Sequence, residues 1–269
     1  MNIQNKSASI GMKLFVVFSF AMLILSSVGV FALNISGTPS VSSFRNGQVP
    51  VPFGGENSLA KGLVGYYKLD DADTGYAINE VGLDAINLGA TTGVYGIVNT
   101  GFDFYYSPSG HVDTSTDIGA EASVSLWIQP YSNSDVFGTI SGVTSRDGYH
   151  ATYENGNLYI YYLQNDNYVN MIGVDISSEV ASFVGVHVIF VVDQNNDAIV
   201  YINGNLASTF LYNWNTVPSV HDGSLNLGAE RDNSNHGFNG RMDEVGVWDR
   251  ALSVSEVSKL YNNHLGLAY

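Results

Sequence analysis

Apolar and polar residues alternate with a period of two along much of the chain, the pattern of strands that bury one face. In residues 122–130 the positions Val124, Leu126 and Ile128 share a face, and Pro130, which has no N–H to give to a ladder, ends the strand. Further strands are expected over residues 136–143, 148–153, 157–163, 186–192, 198–202 and 224–228. Asn155 and Gly156, which accept positive φ, mark a tight hairpin, and residues 193–197 mark a second one. The period then falters. Regular alternation in residues 238–248 would put Met242 and Glu244 on one face and Asp243, Val245 and Val247 on the other, so a bulge or a face with special chemistry is expected. Past that strand the period becomes helical. Ser253 and Glu256 have capping-box spacing, and Val254, Val257, Leu260 and Tyr261 form one apolar stripe to lay against a sheet.

Composition agrees with strands. Tyr (17) and Gly (29) against six Pro suit short strands and tight turns, and a chain of 269 residues is long enough to bury a large core. Cysteine is absent, so stability must come from packing, hydrogen bonds or bound metal. The eight basic and 25 acidic residues after position 33 give that part a net charge of −17. Nucleic acid is therefore excluded as an expected partner, because binding phosphates needs a basic footprint. Solubility outside the cell and cation binding both fit the acidity.

Residues 1–13 carry two lysines, and 14–25 are apolar apart from Ser19. This is a basic segment, an apolar core and small residues up to Ala32, which predicts a secretory signal peptide over residues 1–32. An uncleaved membrane anchor over residues 14–33 is the alternative, and the membrane is an expected partner only through it. Residues 33–60, rich in Ser, Pro, Gly and Asn, read as a linker before one domain over 61–269.

The closing run, with Phe238-Asn-Gly-Arg-Met-Asp-Glu-Val245, Val247-Trp248, Arg250-Ala-Leu-Ser253 and Leu260-Tyr261, closely resembles the end of laminin-G-like domains of the concanavalin A-like superfamily. The resemblance extends from Gly62 to Tyr261: the opening strand from Leu63, Gly101-Phe102-Asp103, His111-Val112-Asp113, His187-Val188 and Asn203-Gly204 all have counterparts in that family. It implies an all-β fold, a two-sheet antiparallel jelly-roll sandwich with a short C-terminal helix. One departure stands out. Gly185 occupies the place of a usual Trp, which implies a core that is looser there or filled from elsewhere.

The resemblance also implies adjacent first and last strands. A structural calcium ion is expected there, held by Asp70, Asp73 and Asp243, with Asp243 capping backbone amides as the competing role. For a ligand, Trp214 flanked by Tyr212, Asn213 and Asn215 suits sugar recognition, in which a ring covers the apolar face of a pyranose while amides bond its hydroxyls. Tyr149, with Tyr153, Tyr159, Tyr161 and Tyr168, would extend that surface, Tyr159 and Tyr161 sharing a face opposite Leu158, Ile160 and Tyr162. Trp127 and Trp248 are expected in the core. Catalysis is not expected: glycosidases of this superfamily need two carboxylates on one face at a fixed separation, and Asp243-Glu244 lacks the flanking glutamates. The expected function is an exported, noncatalytic carbohydrate-binding module at or outside the cell surface. The alternatives are an adhesion protein that binds a cell-surface protein and, third, a glycoside hydrolase of the same fold.

Overall fold

The alternating segments pair as strands in the computed structural model, which describes residues 58–72, 75–104, 110–119, 121–139, 147–165, 167–181, 185–195, 197–210, 224–230 and 237–265. The chain divides into units 1–44 and 45–269, and every described residue lies in the second. In order the strands are β1 (Leu63–Tyr67), β2 (Tyr76–Ala77), β3 (Ala85–Leu88), β4 (Thr91–Tyr95), β5 (Thr100–Phe104), β6 (His111–Asp117), β7 (Ala122–Pro130) and β8 (Ser134–Gly138). There follow β9 (Gly148–Glu154), β10 (Asn157–Gln164), β11 (Asn167–Asp175), β12 (Val186–Val192), β13 (Ala198–Ile202), β14 (Asn205–Phe210), β15 (Ser224–Leu227) and β16 (Gly240–Trp248). Two helices, α1 (Ser177–Ala181) and α2 (Val254–Tyr261), complete the regular elements used below.

The strands make two antiparallel sheets. The first runs β14-β13-β12-β7-β16-β5-β4 with β1 also on β16, and the second runs β11-β10-β9-β8-β15-β6-β3-β2. Alternation decides which face each residue takes. Val124, Leu126 and Ile128 of β7, Val188 and Phe190 of β12, and Leu158, Ile160 and Tyr162 of β10 meet in the core between the sheets. β16 is the hinge of the topology. Its first three residues pair with β5 and its last four with β1, both on the edge opposite β7, so the first and last strands are neighbours. The strand expected over 136–143 is instead β8, Ser134–Gly138, and residues 140–146 lie outside those described. Strands β11 and β14 carry no clean alternation and were not expected.

Helix α2 covers part of the outer face of the first sheet. The Ser253 hydroxyl accepts from the Glu256 N–H, and the Glu256 carboxylate accepts from the Ser253 N–H at 2.8 Å, completing the capping box. Val257 and Leu260 pack on Ile189, Val191, Tyr201 and Trp248, forming a second apolar layer outside the sheet. Val254 is not part of that layer. It is 65% exposed, while Glu256 and Val257 of the same turn are buried. Trp248 Nε1 donates to the Leu59 carbonyl at 2.7 Å, so the buried indole is satisfied by the segment just before β1.

Arg250 ties the two ends of the domain together. It makes a two-pronged ion pair with Glu256, at 2.8 and 3.0 Å, and donates to the carbonyls of Ser58 and Lys61. Burial alone would raise the Glu256 pKa, but Arg250 and Ser253 outweigh it and bring the pKa down to about 2. A depressed carboxyl pKa gives stability that is present above the unfolded value near 4.5 and is lost as pH falls toward 2. Glu256→Gln is expected to cost about 2–3 kcal/mol at pH 7. Urea denaturation should show that deficit shrinking between pH 4.5 and pH 2.

Candidate functional site

The faltering period in β16 is a bulge. Asp243 pairs with Trp127 and Gly246 with Ser125, so Glu244 and Val245 together stand opposite the single residue Leu126. Glu244 takes up the extra length in the left-handed region at φ 50°, a conformation that is strained for a residue with a Cβ. The bulge resets the alternation. Met242, Val245 and Val247 all reach the core between the sheets, while Asp243 and Glu244 both lie on the outer side.

Asp243 fastens the turn between β4 and β5. Its Oδ2 accepts from the N–H of Ile97 at 2.6 Å and of Val98 at 2.9 Å, and its Oδ1 accepts from the Glu244 N–H at 3.0 Å. Asp70 holds the same turn from the other end, accepting from Thr100 N–H at 2.9 Å and from Asn99 Nδ2 at 3.1 Å. Gly96 is required in this turn, since a Cβ there would stand 2.5 Å from the Thr100 carbonyl oxygen and 2.7 Å from Asp243 Oδ2. Of the three expected calcium ligands, Asp70 and Asp243 thus come together and Asp73 lies outside the described residues. Among the described residues no group of three or more acidic or histidine side chains converges as a metal site. The oxygens of Asp70 and Asp243 are taken up by amides, so this pair does not fit calcium on its own.

Beside the fastened turn, the outer face of the first sheet opens into a cleft of about 370 Å³. Cross-strand register assembles its floor: Arg241 of β16 stands between Asp103 of β5 and Gln129 of β7, and one step along Asp243 stands opposite Trp127. The end of β4 supplies Tyr95, 83% exposed at the rim, and the turn supplies Ile97. Gly185 closes the far side at φ 86°, and a Cβ there would meet Ile97 Cδ1 at 2.9 Å. The space of the usual Trp is therefore filled from elsewhere, by Ile97. Trp127 is held upright by stacking on His187 at 4.8 Å and on Tyr261 of α2 at 6.0 Å. Rings and an aliphatic side chain thus face an amide, a guanidinium and a carboxyl across one small space.

Residues 100–258, more than half of the chain, match a laminin G family model described as the concanavalin A-like lectin/glucanases superfamily. The chain belongs to this superfamily. Similar solved structures include the receptor binding domain of botulinum neurotoxin D, at 17% identity and a TM-score of 0.53, covering 75% of this chain and 52% of that one. The binding domain of Paraclostridial Mosquitocidal Protein 1 matches at 16% identity and a TM-score of 0.52, over 76% and 52% of the two chains. A botulinum neurotoxin serotype D ligand binding domain in complex with N-acetylneuraminic acid matches at 16% and 0.51, over 75% and 51%. The chain spans about half the length of these solved chains, and identities this low establish a shared fold. No curated protein sequence matches the chain.

In this member of the superfamily a serine–histidine pair lies under α2. Ser125 Oγ is 2.9 Å from His187 Nε2, and both line a small cavity of about 10 Å³ together with Glu244, Trp127, Trp248 and Leu260. That is room for about one water, too small for a substrate. Burial pushes the His187 pKa down to about 3, so the imidazole is neutral. Glu244 receives a hydrogen bond from the Tyr66 hydroxyl on Oε2, while its buried Oε1 has no partner among the described residues.

The aromatic residues expected to bind ligand separate into three groups. Tyr212, Asn213, Trp214 and Asn215 lie outside the described residues. Tyr149 is fully buried, its ring 5.6 Å from Tyr162 and 5.4 Å from Phe190, because its position in β9 alternates with outward-facing His150; the expected surface role is corrected to a core role. Tyr153 packs against the same core. Tyr159 and Tyr161 do share the outer face of the second sheet, stacked at 6.1 Å, with the 57% exposed Tyr168 edge-on at 4.9 Å from Tyr161. Tyr95 and Gln129 carried no motif, and Arg241 belonged to the closing run with no site role assigned to it. Only the register of β5, β16 and β7 with the fold of the turn brings them together.

Burial raises the pKa of Asp243 to about 7, against its three N–H donors, and that of Glu244 to about 8, with the charge of Asp70 adding to both shifts and that of Asp243 to the shift of Glu244. A carboxyl whose pKa is higher folded than unfolded favours the native state when protonated. Its stabilising effect is complete below about pH 4 and is lost as pH rises toward 8. Glu244→Gln removes one of these acids. Its stability relative to the unaltered protein should therefore rise by about 1–3 kcal/mol from pH 5 to pH 8, read as the difference between paired denaturation curves.

Proposed function

We propose that this protein is a noncatalytic carbohydrate-binding module that acts at or outside the cell surface and takes its ligand in the cleft beside the β4–β5 turn. The observation that carries this reading is the pairing, in one space, of the Tyr95 and Trp127 rings with Gln129, Arg241 and Asp243. A pyranose needs an apolar face to lie on a ring and hydroxyls to exchange hydrogen bonds with amide and guanidinium groups, and the amide-bound Asp243 serves as the wall beside them. The receptor-binding domains that share the fold, one of them holding N-acetylneuraminic acid, support a binding role. Against catalysis stands the use of Asp243 and Glu244, which hold backbone amides and the Tyr66 hydroxyl. Export rests on the apolar segment of residues 14–25, which lies outside the described residues. Among the described residues no helix is long and apolar enough to cross a membrane.

One observation favours the second reading, adhesion to a cell-surface protein. Tyr159, Tyr161, Tyr168 and the 49% exposed Met171, which pairs with Tyr161 across β10 and β11, make a mostly apolar surface at the edge of the second sheet. Calcium at Asp70, Asp73 and Asp243 belongs to the proposal as a structural accessory that would need Asp73.

Two measurements check these readings. Tyr95→Ala should weaken glycan binding about tenfold with an unchanged Tm, since the ring is exposed at the rim; silence of the folded protein on a glycan array, with and without calcium, sinks the carbohydrate reading. An ion bound only to the native state raises Tm. If calcium occupies the Asp70 site, exhaustive chelation lowers Tm and calcium restores it, and an unchanged Tm removes calcium from the account.

A further inference from the structure

We propose that the cleft selects a pyranose bearing one anionic oxygen group, a carboxylate or a sulfate, and that the guanidinium of Arg241 is the group that reads it. This rests on the carbohydrate reading above and narrows it to a ligand class.

Arg241 is preorganised in a way the other cleft residues are not. Asp103, its cross-strand neighbour, accepts from Nε at 3.4 Å, and the ring of Tyr131 lies 6.0 Å from the guanidinium carbon. Arg241 lines the cleft and Asp103 does not, so the Nε edge is spent outside it. The two Nη groups have no hydrogen-bond partner among the described residues. They form half of the planar fork that matches two oxygens of a carboxylate or sulfate at once. The Arg241 side chain is 36% exposed, which leaves the fork reachable but partly shielded from water.

The charges around it bear on what enters. Asp243, the acid in the cleft wall, already accepts three backbone N–H bonds, and Asp103 is engaged on the far edge. Neither competes for the Nη groups. The chain as a whole carries −15, which repels polyanions at long range, so the fit is to a single anionic group on a sugar and not to a densely charged polymer. A volume of about 370 Å³, at the small end for ligand sites, holds a sugar or two and points the same way.

The test is a titration of the full chain with methyl β-glucoside, methyl β-glucuronide and methyl β-glucoside 6-sulfate, followed by calorimetry or NMR. At least one anionic glycoside should bind about tenfold or more tightly than the neutral one, the gain of a charge-assisted over a neutral hydrogen bond. Which of the two does so names the group. Arg241→Gln should abolish that preference, the anionic glycoside losing about tenfold more affinity than the neutral one, and Arg241→Lys, which keeps the charge without the fork, should keep only part of it. Equal binding of all three glycosides, a preference for the neutral one, or a preference that survives Arg241→Gln overturns the inference and leaves the carbohydrate reading standing. Failure of all three to bind, with a silent glycan array, overturns both.

Discussion

The bulge at Glu244 is the constraint on which the rest of this domain depends. The strand β16 must bury Met242, Val245 and Val247 on one side and Trp248 on the other, and no regular strand does both. One residue in a left-handed conformation resolves the conflict. The cost is of the order of 1–3 kcal/mol of backbone strain and two adjacent buried acids. What results is a strand that pairs with β7 throughout, with β5 before the bulge and with β1 after it, closing the first sheet around both ends of the domain.

The same bulge divides the outer face of the first sheet between stability and binding. On one side Glu244, Ser125 and His187 lie buried beneath α2, and their polar atoms serve packing. On the other Asp243 holds the β4–β5 turn open as the wall of a cleft. Trp127 borders both: only 2% exposed, its indole stacks on His187 and on Tyr261 of α2 and also lines the cleft. The two carboxyls of one dipeptide thus have opposite surroundings, one tied to three amides and the other to a single phenol.

Acidity in this chain therefore has a more local meaning than its net charge suggests. Asp70, Asp243 and Glu256 accept backbone N–H groups or pair with Arg250, and these bonds join segments far apart in sequence: Asp243 to Ile97, Asp70 to Thr100, Glu256 to Arg250 and through it to Ser58. In a chain without cysteine such bonds do what disulfides do elsewhere, connecting the ends of a sandwich whose strands are contiguous only in space.

Local chemistry was legible in the sequence. Alternation identified β7, β9, β10, β12 and β13, the Ser253 and Glu256 spacing placed the start of α2, and the broken period at Asp243–Glu244 announced the bulge, because each depends on residues a few positions apart. The edge strands β11 and β14 were missed, since an edge with mixed exposure has no period to read. Tyr149 was misassigned for a related reason: an aromatic residue in a strand looks the same from either face until register says which side is covered. The candidate site was legible only in Asp243. That Tyr95, Gln129 and Arg241 share a cleft, that Ile97 fills the space over Gly185, and that Asp243 turns toward the β4–β5 amides were decided by pairing between strands more than a hundred residues apart, which a linear pattern does not encode.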